Sequence, residues 1–217
     1  KLFFNSSSLT ASHNDNALIH NYNFKVIIKD IFEKYINLIS TISEKSSLEN
    51  LDILFSRLDN HFESGGRIFF AGNGGSAAVS SHAATDLGKL HIENKLLNVI
   101  SLNTNVSTLT ALSNDYGFEN VFVNVIKNFK PKDDDTLITI SSSGNSKNII
   151  NILEYCNNEG VFTFSLNGFD GGKASKISQY STTFNSKEGY YGPIEDLHMM
   201  VFHLYAHKIY KNIDEIE

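Results

Sequence analysis

The sequence has one cysteine, two prolines and no tryptophan among its 217 residues. With Cys156 alone, the chain can form neither an internal disulfide nor a zinc site built from cysteines, and a cytoplasmic location is the default expectation. It also lacks a long cluster of lysine and arginine, and the formal net charge of −6 argues against a nucleic-acid partner. No apolar run approaches the ~20 residues of a membrane-spanning helix, so no membrane partner is expected.

Short apolar runs alternate with amphipathic stretches along most of the chain. Alternation of this kind indicates right-handed crossovers and a parallel sheet covered on both faces. We therefore predict an α/β fold, a three-layer α/β/α sandwich with a central, mostly parallel five-stranded sheet and additional N-terminal helices. The predicted strands are 67–71, 97–102, 136–140, 161–166 and 181–184, and the later helices are 105–115, 118–129, 146–158 and 194–211.

The N-terminal region divides into a polar segment and two helices. Residues 5–16 are rich in Ser, Asn, Thr and Asp, and residues 1–16 are predicted to be a disordered arm. Residues 17–43 form an amphipathic helix whose wide apolar face packs either on the chain's own core or on a partner subunit. A second helix opens at Ser47 and ends before Gly65-Gly66. The expected organisation is a single domain over 17–217 that includes this helical hairpin.

A glycine-rich turn follows the first predicted strand and leads into a helix, within residues 72–90. Such a turn presents unpaired backbone N–H groups and the positive end of the helix dipole, which suits an anion. Ser76 is placed either as the N-cap or as a hydroxyl contact to that anion. His82 and Asp86 stand four residues apart and therefore share one helical face, as an acid/base pair or a metal-binding pair.

A second candidate anion site is the loop Ser141–Ser146, which follows the third predicted strand and runs into a helix. Its four hydroxyls and the helix N-terminus supply neutral donors at the strand end where open α/β sheets bind ligands. The alternative, a serine-rich loop with one cap, is disfavoured because two such loops follow two strands. The glycine pattern fits the dinucleotide-binding fingerprint only loosely. In addition, the next strand ends at Asn103 without the carboxylate that would bind a ribose hydroxyl. A small phosphorylated molecule is the expected ligand.

The last predicted helix carries ionisable residues within an otherwise apolar sequence. They are Glu195, Asp196, His198 and His203. Either histidine alone is more often a hydrogen-bonded core residue, and Glu195 lies about 80° from His203 around the helix. Helical spacing alone therefore does not decide whether Glu195 or Asp196 works with His203. The segment 114–117 is a turn signal, which favours helix capping for Asn114 and Asp115.

These motifs together resemble the sugar isomerase (SIS) domain proteins, and most closely the phosphoheptose isomerases. The resemblance runs from about residue 17 to residue 211. Members of this family convert sedoheptulose 7-phosphate into D-glycero-D-manno-heptose 7-phosphate for lipopolysaccharide or capsule heptose, and are typically homotetramers. The matching parts are Gly72–Ser76, the His82/Asp86 pair, Leu112–Phe118, Ser141–Ser146, Gly168–Lys173 and the helix of His203.

The resemblance implies a role for individual residues. Ser141, Ser142, Ser143 and Ser146 would hold the phosphate. The sugar would contact Asn73, Gly74, Gly75 and Ser76, with Asn114 and Asp115 nearby and with Asp86 and Glu195 also facing the substrate. The family often binds one zinc ion per active site, which the resemblance places on His82, Asp86, Glu195 and His203.

Three positions depart from the family pattern. Asp86 stands where the family has Glu, Glu195 where it has Gln, and Gly192 where it tends to have Asp. In one interpretation the first two changes compensate, since one carboxylate shortens as another ligand becomes anionic. Two carboxylates and two imidazoles are a credible zinc ligand set. The loss of the Asp at 192 leaves the identity of the phosphosugar open.

The leading hypothesis is aldose–ketose isomerisation through an enediol, with Asp86 as the base and His203 as its partner in proton transfer. The alternative from another class is a non-catalytic SIS protein that binds a phosphosugar as a regulator or scaffold. A third reading is isomerisation of a different phosphosugar. The retained set of His82, Asp86 and His203 favours an enzyme, because a binding module needs no base facing its ligand.

Overall fold

The computed structural model describes residues 24–210, with side chains described from residue 27. The predicted arm over residues 1–16 lies outside the described residues. The chain divides into two compact units after Asn37, and the prediction of a single domain over 17–217 stays a prediction. Among the described residues, no helix is both long and apolar enough to cross a membrane.

Five parallel strands form the central sheet, as predicted, in the order β4-β1-β5-β6-β7. An additional antiparallel ribbon of two short strands was not predicted, because two-residue strands leave no hydrophobic period in the sequence. The strands of the described chain are β1 (Arg67–Gly72), β2 (His91–Ile92), β3 (Lys95–Leu96), β4 (Asn98–Ser101), β5 (Thr136–Ser141), β6 (Phe162–Phe169) and β7 (Tyr180–Asn185).

The predicted helices lie close to their expected positions, with three differences, and the short helix Ala174–Ile177 was not predicted. The second helix begins at Glu49, with Leu48 rather than Ser47 at its N-cap. The stretch 118–129 begins as a 3₁₀ turn, and the last helix begins three residues early because Pro193 is tolerated in a first turn. The described helices are α1 (Phe24–Glu44), α2 (Glu49–Ser64), α3 (Gly75–Lys89), α4 (Val106–Tyr116), α5 (Val121–Lys127), α6 (Lys147–Asn158), α7 (Ala174–Ile177) and α8 (Tyr191–Tyr210).

Two hydrophobic cores cover the two faces of the sheet. Ile68 and Phe70 of β1 point into one core, together with residues of α2, α3 and α8. Phe69, between them, points into the other core with residues of α5 and α6. This alternation follows from the two-residue period of a strand. The predicted three-layer α/β/α arrangement is confirmed.

The helix α1 carries a row of exposed apolar side chains. Within the first unit, Ile31 and Phe32 are 56% and 64% exposed, and Ile27, Ile28 and Ile36 are also exposed. The sequence left open whether this face covers the chain's own core. Which of the two surfaces this face covers stays a prediction.

The topology places two loops side by side at one edge of the sheet. β1 pairs with β4 on one side and with β5 on the other. The helices α3 and α6, which follow β1 and β5, pack on opposite faces of the sheet. The loops at the carboxyl ends of β1 and β5 therefore diverge, and a crevice at such a switch point is the usual ligand site of an open α/β sheet.

Candidate active site

A cavity of about 360 Å³ occupies this crevice between the ends of β1 and β5. Its lining brings together most of the residues that the sequence singled out for substrate binding. They are Asn73, Gly74, Gly75, Ser76, Ser141, Ser142, Ser143, Ser146 and Glu195, joined by Ile140 and Tyr191.

The first loop exposes the N-terminus of α3 to the cavity. Gly74 is the N-cap residue, with φ +55°, and no side chain caps the helix. Because Gly74 holds this position and Ser76 lies inside the helix, the interpretation of Ser76 as N-cap is wrong. Asn73 is held by a reciprocal amide pair with Asn148 of α6, at 2.8 and 2.9 Å. That pair ties the first loop to the helix that follows the second.

The second loop, Ser141–Ser146, is closed from behind by the glycine-rich segment that follows β6. Gly144 has φ +61°, and a Cβ there would collide with the carbonyl of Gly171. The carbonyl of Gly144 accepts a hydrogen bond from the Ala174 N–H at 2.8 Å. Ser146 is the N-cap of α6, yet its hydroxyl caps no N–H group. Hydroxyls and first-turn N–H groups are therefore available to a ligand in the cavity.

The electrostatics of the cavity depend on two helix N-termini and one carboxylate. The N-termini of α3 and α6 favour an anion, and the described lining contains no lysine or arginine. Glu195 extends from α8 over Gly75, where its carboxylate fills the space that a Cβ would take. Burial, and secondarily the Asp196 carboxylate, raises the pKa of Glu195 above its ordinary value.

A cluster of three ionisable side chains lies further along α3 and α8. His82 Nε2 is 2.9 Å from Asp86 Oδ2 and 3.1 Å from His203 Nε2. The distance from Asp86 Oδ2 to His203 Nε2 is 3.7 Å, and Lys89 Nζ is 2.9 Å from Asp86 Oδ1. His82, Asp86 and His203 thus form a group that can hold a divalent metal ion.

Neighbouring side chains lower the pKa of the Asp86 carboxyl. Burial would raise its pKa, but the hydrogen bond from Lys89 and the nearby His82 and His203 rings more than offset this. The pKa of Asp86 is therefore lowered from its ordinary value. Asp86 stays ionised at neutral pH, as both a base and a metal ligand require.

Glu195 does not join this cluster within one subunit. It lies against Gly75 at the start of α3, whereas His82 stands two helical turns later. The pairs Gly75–Glu195 and His82–His203 show that α3 and α8 run side by side in the same direction. The structure thus unites three of the four side chains predicted to bind metal.

Known proteins match this chain over most of its length. The SIS domain family matches residues 31–168. A phosphoheptose isomerase of Helicobacter pylori (strain P12) is 39% identical over 165 residues, which cover 74% of this chain and 84% of the relative. A phosphoheptose isomerase of Aneurinibacillus thermoaerophilus is 32% identical over 179 residues, or 82% of this chain and 89% of the relative.

The chain belongs to the phosphoheptose isomerase family of SIS-domain proteins. The solved structure of the phosphoheptose isomerase from Neisseria gonorrhoeae agrees with this assignment, with a TM-score of 0.75 at 26% identity. It covers 87% of this chain and 99% of its own. The predicted family and fold are confirmed.

Two residues that the phosphoheptose isomerase resemblance places near the sugar lie elsewhere in this subunit. Asn114 and Asp115 are exposed at the end of α4, where Asn114 Nδ2 donates to Asp115 Oδ1 at 3.1 Å. The helix is capped by Gly117, whose N–H donates to the Ser113 carbonyl. Neither residue lines the cavity, so their contact with substrate stays a prediction.

Two lining residues, Ile140 and Tyr191, were not among the predicted site residues. Tyr191 stands one turn before Glu195, and its ring packs edge-on against Phe169 with centroids 5.2 Å apart. Phe169 has φ +53°, a conformation that costs energy for a bulky residue and often occurs at functional sites. The spacing of four between Tyr191 and Glu195 could have revealed their shared face, but the predicted helix began too late to include Tyr191.

Proposed function

We propose that this phosphosugar aldose–ketose isomerase converts sedoheptulose 7-phosphate into D-glycero-D-manno-heptose 7-phosphate. The observation that carries the proposal is that the cavity at the start of α3 and the group of His82, Asp86 and His203 both lie along the parallel helices α3 and α8. The relatives named above are phosphoheptose isomerases, which supports the same substrate. The product would enter the supply of heptose for lipopolysaccharide or capsule.

The spacing of the two sites supports a long sugar phosphate. Gly75 at the cavity and His82 in the cluster are seven residues apart on α3, a rise of about 10 Å. An extended seven-carbon sugar phosphate has a comparable length between its phosphate and its carbonyl end. Shorter phosphosugars would reach both sites less readily.

Each group has a chemical task in this proposal. The hydroxyls of the serine loop and the first turn of α6 hold the phosphate, while Asn73, Gly74 and Gly75 lie along the sugar. Asp86 accepts the proton from the hydroxyl-bearing carbon beside the carbonyl, which gives the enediol. His203 assists the transfer of that proton to the neighbouring carbon, the former carbonyl carbon, and a second proton moves between the two oxygens.

We further propose one zinc ion per active site on His82, Asp86 and His203. The ligand-atom separations of 2.9, 3.1 and 3.7 Å are close to the edge of about 3.3 Å expected for a tetrahedron with bonds of 2.0–2.1 Å. When bound, the metal would supply Lewis-acid polarisation of a substrate oxygen. An Asp86 oxygen whose lone pair is bound to the metal cannot accept a proton from the substrate at the same time.

A cytoplasmic homotetramer completes the proposal. The exposed row on α1, which includes Ile31 and Phe32, is the kind of apolar face that a partner subunit covers. Light scattering at micromolar concentration tests the oligomeric state, with Phe32→Glu as the variant expected to shift it towards smaller species. A wild-type monomer would contradict this part of the proposal.

A coupled assay tests the reaction. Purified protein is given sedoheptulose 7-phosphate and a panel of hexose and pentose phosphates, and the same sample is analysed for metal. Turnover of the heptose phosphate, with at least about a hundredfold loss in Asp86→Asn, is the expected result. Preference for a shorter phosphosugar would point to the departures at Gly192 and Glu195, since the Glu195 carboxylate lies in the cavity. Binding of a phosphosugar without turnover would favour a regulator.

A further inference from the structure

A second cavity, of about 400 Å³, lies at the carboxyl ends of β6 and β7, beside the first cavity between the ends of β1 and β5. Ser143 lines both, so the two cavities meet at the serine loop. Tyr191 lines the first cavity and Phe169 lines the second, and their rings pack edge-on with centroids 5.2 Å apart. The two rings therefore form an aromatic wall between the cavities.

We propose that Tyr191, supported by Phe169, makes the site select terminal phosphate monoesters over esters whose phosphorus carries a second organic group. This inference rests on the proposed function, in which the serine loop beside Tyr191 binds the phosphate of the sugar. It adds the residue that closes the cavity behind that phosphate. A second group on the phosphorus extends away from the sugar and collides with the aromatic wall.

The first argument is the position of Tyr191 along its helix. Tyr191 precedes Glu195 by about 6 Å and His203 by about 18 Å along the axis of α8. The order along the helix is therefore the aromatic wall, the Glu195 carboxyl and then the acid/base cluster. Tyr191 thus lies at the end of the cavity away from the cluster. A substrate that brings its carbonyl end to His203 directs its phosphate towards Tyr191.

The second argument is the fixed position of the wall. Phe169 is 8% exposed and has φ +53°, a conformation that a bulky residue keeps only where the surrounding structure enforces it. The N–H of Gly168 donates to the Ser142 carbonyl at 3.1 Å, and the N–H of Ser186 donates to the Phe169 carbonyl at 3.3 Å. These bonds tie the end of β6 to the serine loop and to the segment after β7. The buried Phe169 ring is therefore a rigid support for the exposed Tyr191 ring.

The third argument is the charge of the second cavity. Asp170 and Glu188 line it, and within the described chain its lining includes no lysine or arginine. Two carboxylates repel an anion, so the second cavity disfavours the further phosphate of a nucleoside diphosphate sugar. The aromatic wall and these carboxylates thus act in the same direction. Only the wall, however, excludes a second group that is uncharged or cationic.

A matched pair of ligands tests the wall by binding alone, measured by ligand-observed nuclear magnetic resonance. Glycerol 3-phosphate is a terminal monoester, and glycerophosphocholine is the same molecule with choline added on the phosphorus. The choline cation is attracted by Asp170 and Glu188, so charge repulsion from the second cavity cannot explain its rejection. We expect the wild type to bind the monoester at least about tenfold more tightly, and Tyr191→Ala to lower this preference by about tenfold.

Three further variants separate the ring from other effects. Tyr191→Phe keeps the ring and should keep the preference of the wild type. Tyr190→Ala is the matched control, since the neighbouring Tyr190 is also exposed but is not among the described residues that line either cavity. It should also keep the preference. Phe169→Leu keeps an apolar side chain but removes the supporting ring, and should give an intermediate preference.

An unchanged preference in Tyr191→Ala would overturn the proposal. So would an equal loss of preference in Tyr190→Ala, or a wild-type protein that binds the two ligands equally well. Turnover is not the readout. A protein that selects the monoester through Tyr191 but does not act on sedoheptulose 7-phosphate would refute the proposed reaction and support the role of the aromatic wall.

Discussion

His198 is expected to make the fold sensitive to acid. This histidine is fully buried on α8, with its ring 5.8 Å from the ring of Phe184. Burial lowers the pKa of His198 from 6.5 to about 4, and the nearby backbone of Asn167 offsets only part of this. Acid should therefore act on the helix that carries Glu195 and His203.

The sign and size of the effect follow from proton linkage. Above pH 6.5, His198 is neutral in both the folded and the unfolded state, so its contribution to stability does not vary with pH. As the pH falls below 6.5, His198 binds a proton in the unfolded chain but stays neutral in the folded chain. The free energy of unfolding should fall by about 3 kcal/mol between pH 6.5 and pH 4, and this loss should stop once the folded histidine protonates.

Urea unfolding at pH values from 7.5 to 4.5 measures the effect, with a chelator present so that metal release does not contribute. His198→Leu should lose less stability on acidification than the wild type, by about 1 kcal/mol per pH unit. The control His91→Ala, at an exposed position, should keep the wild-type pH dependence. An identical pH dependence in His198→Leu and wild type would refute the reasoning. His61, whose pKa is also lowered to about 4, first by burial and next by Arg57, should retain its own contribution in both proteins.

Two further predictions concern stability. Gly144→Ala combines a positive φ with a collision against the segment behind the serine loop, and should cost about 3 kcal/mol in thermal unfolding. Gly160→Ala, with positive φ but open space, should cost about 1 kcal/mol, and equal costs would contradict the collision. Asp135→Ala should lower the free energy of unfolding in urea by about 3–5 kcal/mol. The Asp135 side chain is 1% exposed, and its removal leaves the partly buried Arg67 guanidinium without a carboxylate partner. Glu154→Ala breaks an exposed ion pair and should cost less than about 1 kcal/mol; a similar loss in both variants would contradict the role of burial.

The sequence predicted the features that local patterns encode. Apolar runs such as Thr136–Ile140 found the central strands because both faces of a parallel sheet are buried. The two loops that line the cavity were found because turn residues directly follow a strand and precede a helix. The start of α8 was missed, since Pro193 resembles a stop signal but sits in the first turn.

The functional arrangement of side chains was harder to predict because it depends on tertiary contacts. Helical spacing could not place Glu195 relative to His203. Only the contact with Gly75 shows that Glu195 faces the cavity between the ends of β1 and β5.

The structure also bears on the idea that the changes at Asp86 and Glu195 compensate for each other. Compensation requires both carboxylates to act on one metal ion. Within one subunit, Asp86 contacts His82 and His203, whereas Glu195 lies over the start of α3 in a separate cavity. Within one subunit the two departures therefore lie at different places along α3 and α8. The short side chain of Asp86 reaches His82, which is one turn away on the same helix. Glu195 places a carboxyl group in the cavity where we propose that the phosphate binds. Burial, and secondarily the Asp196 carboxylate, raises the pKa of Glu195 and so favours the neutral carboxyl relative to an exposed glutamate.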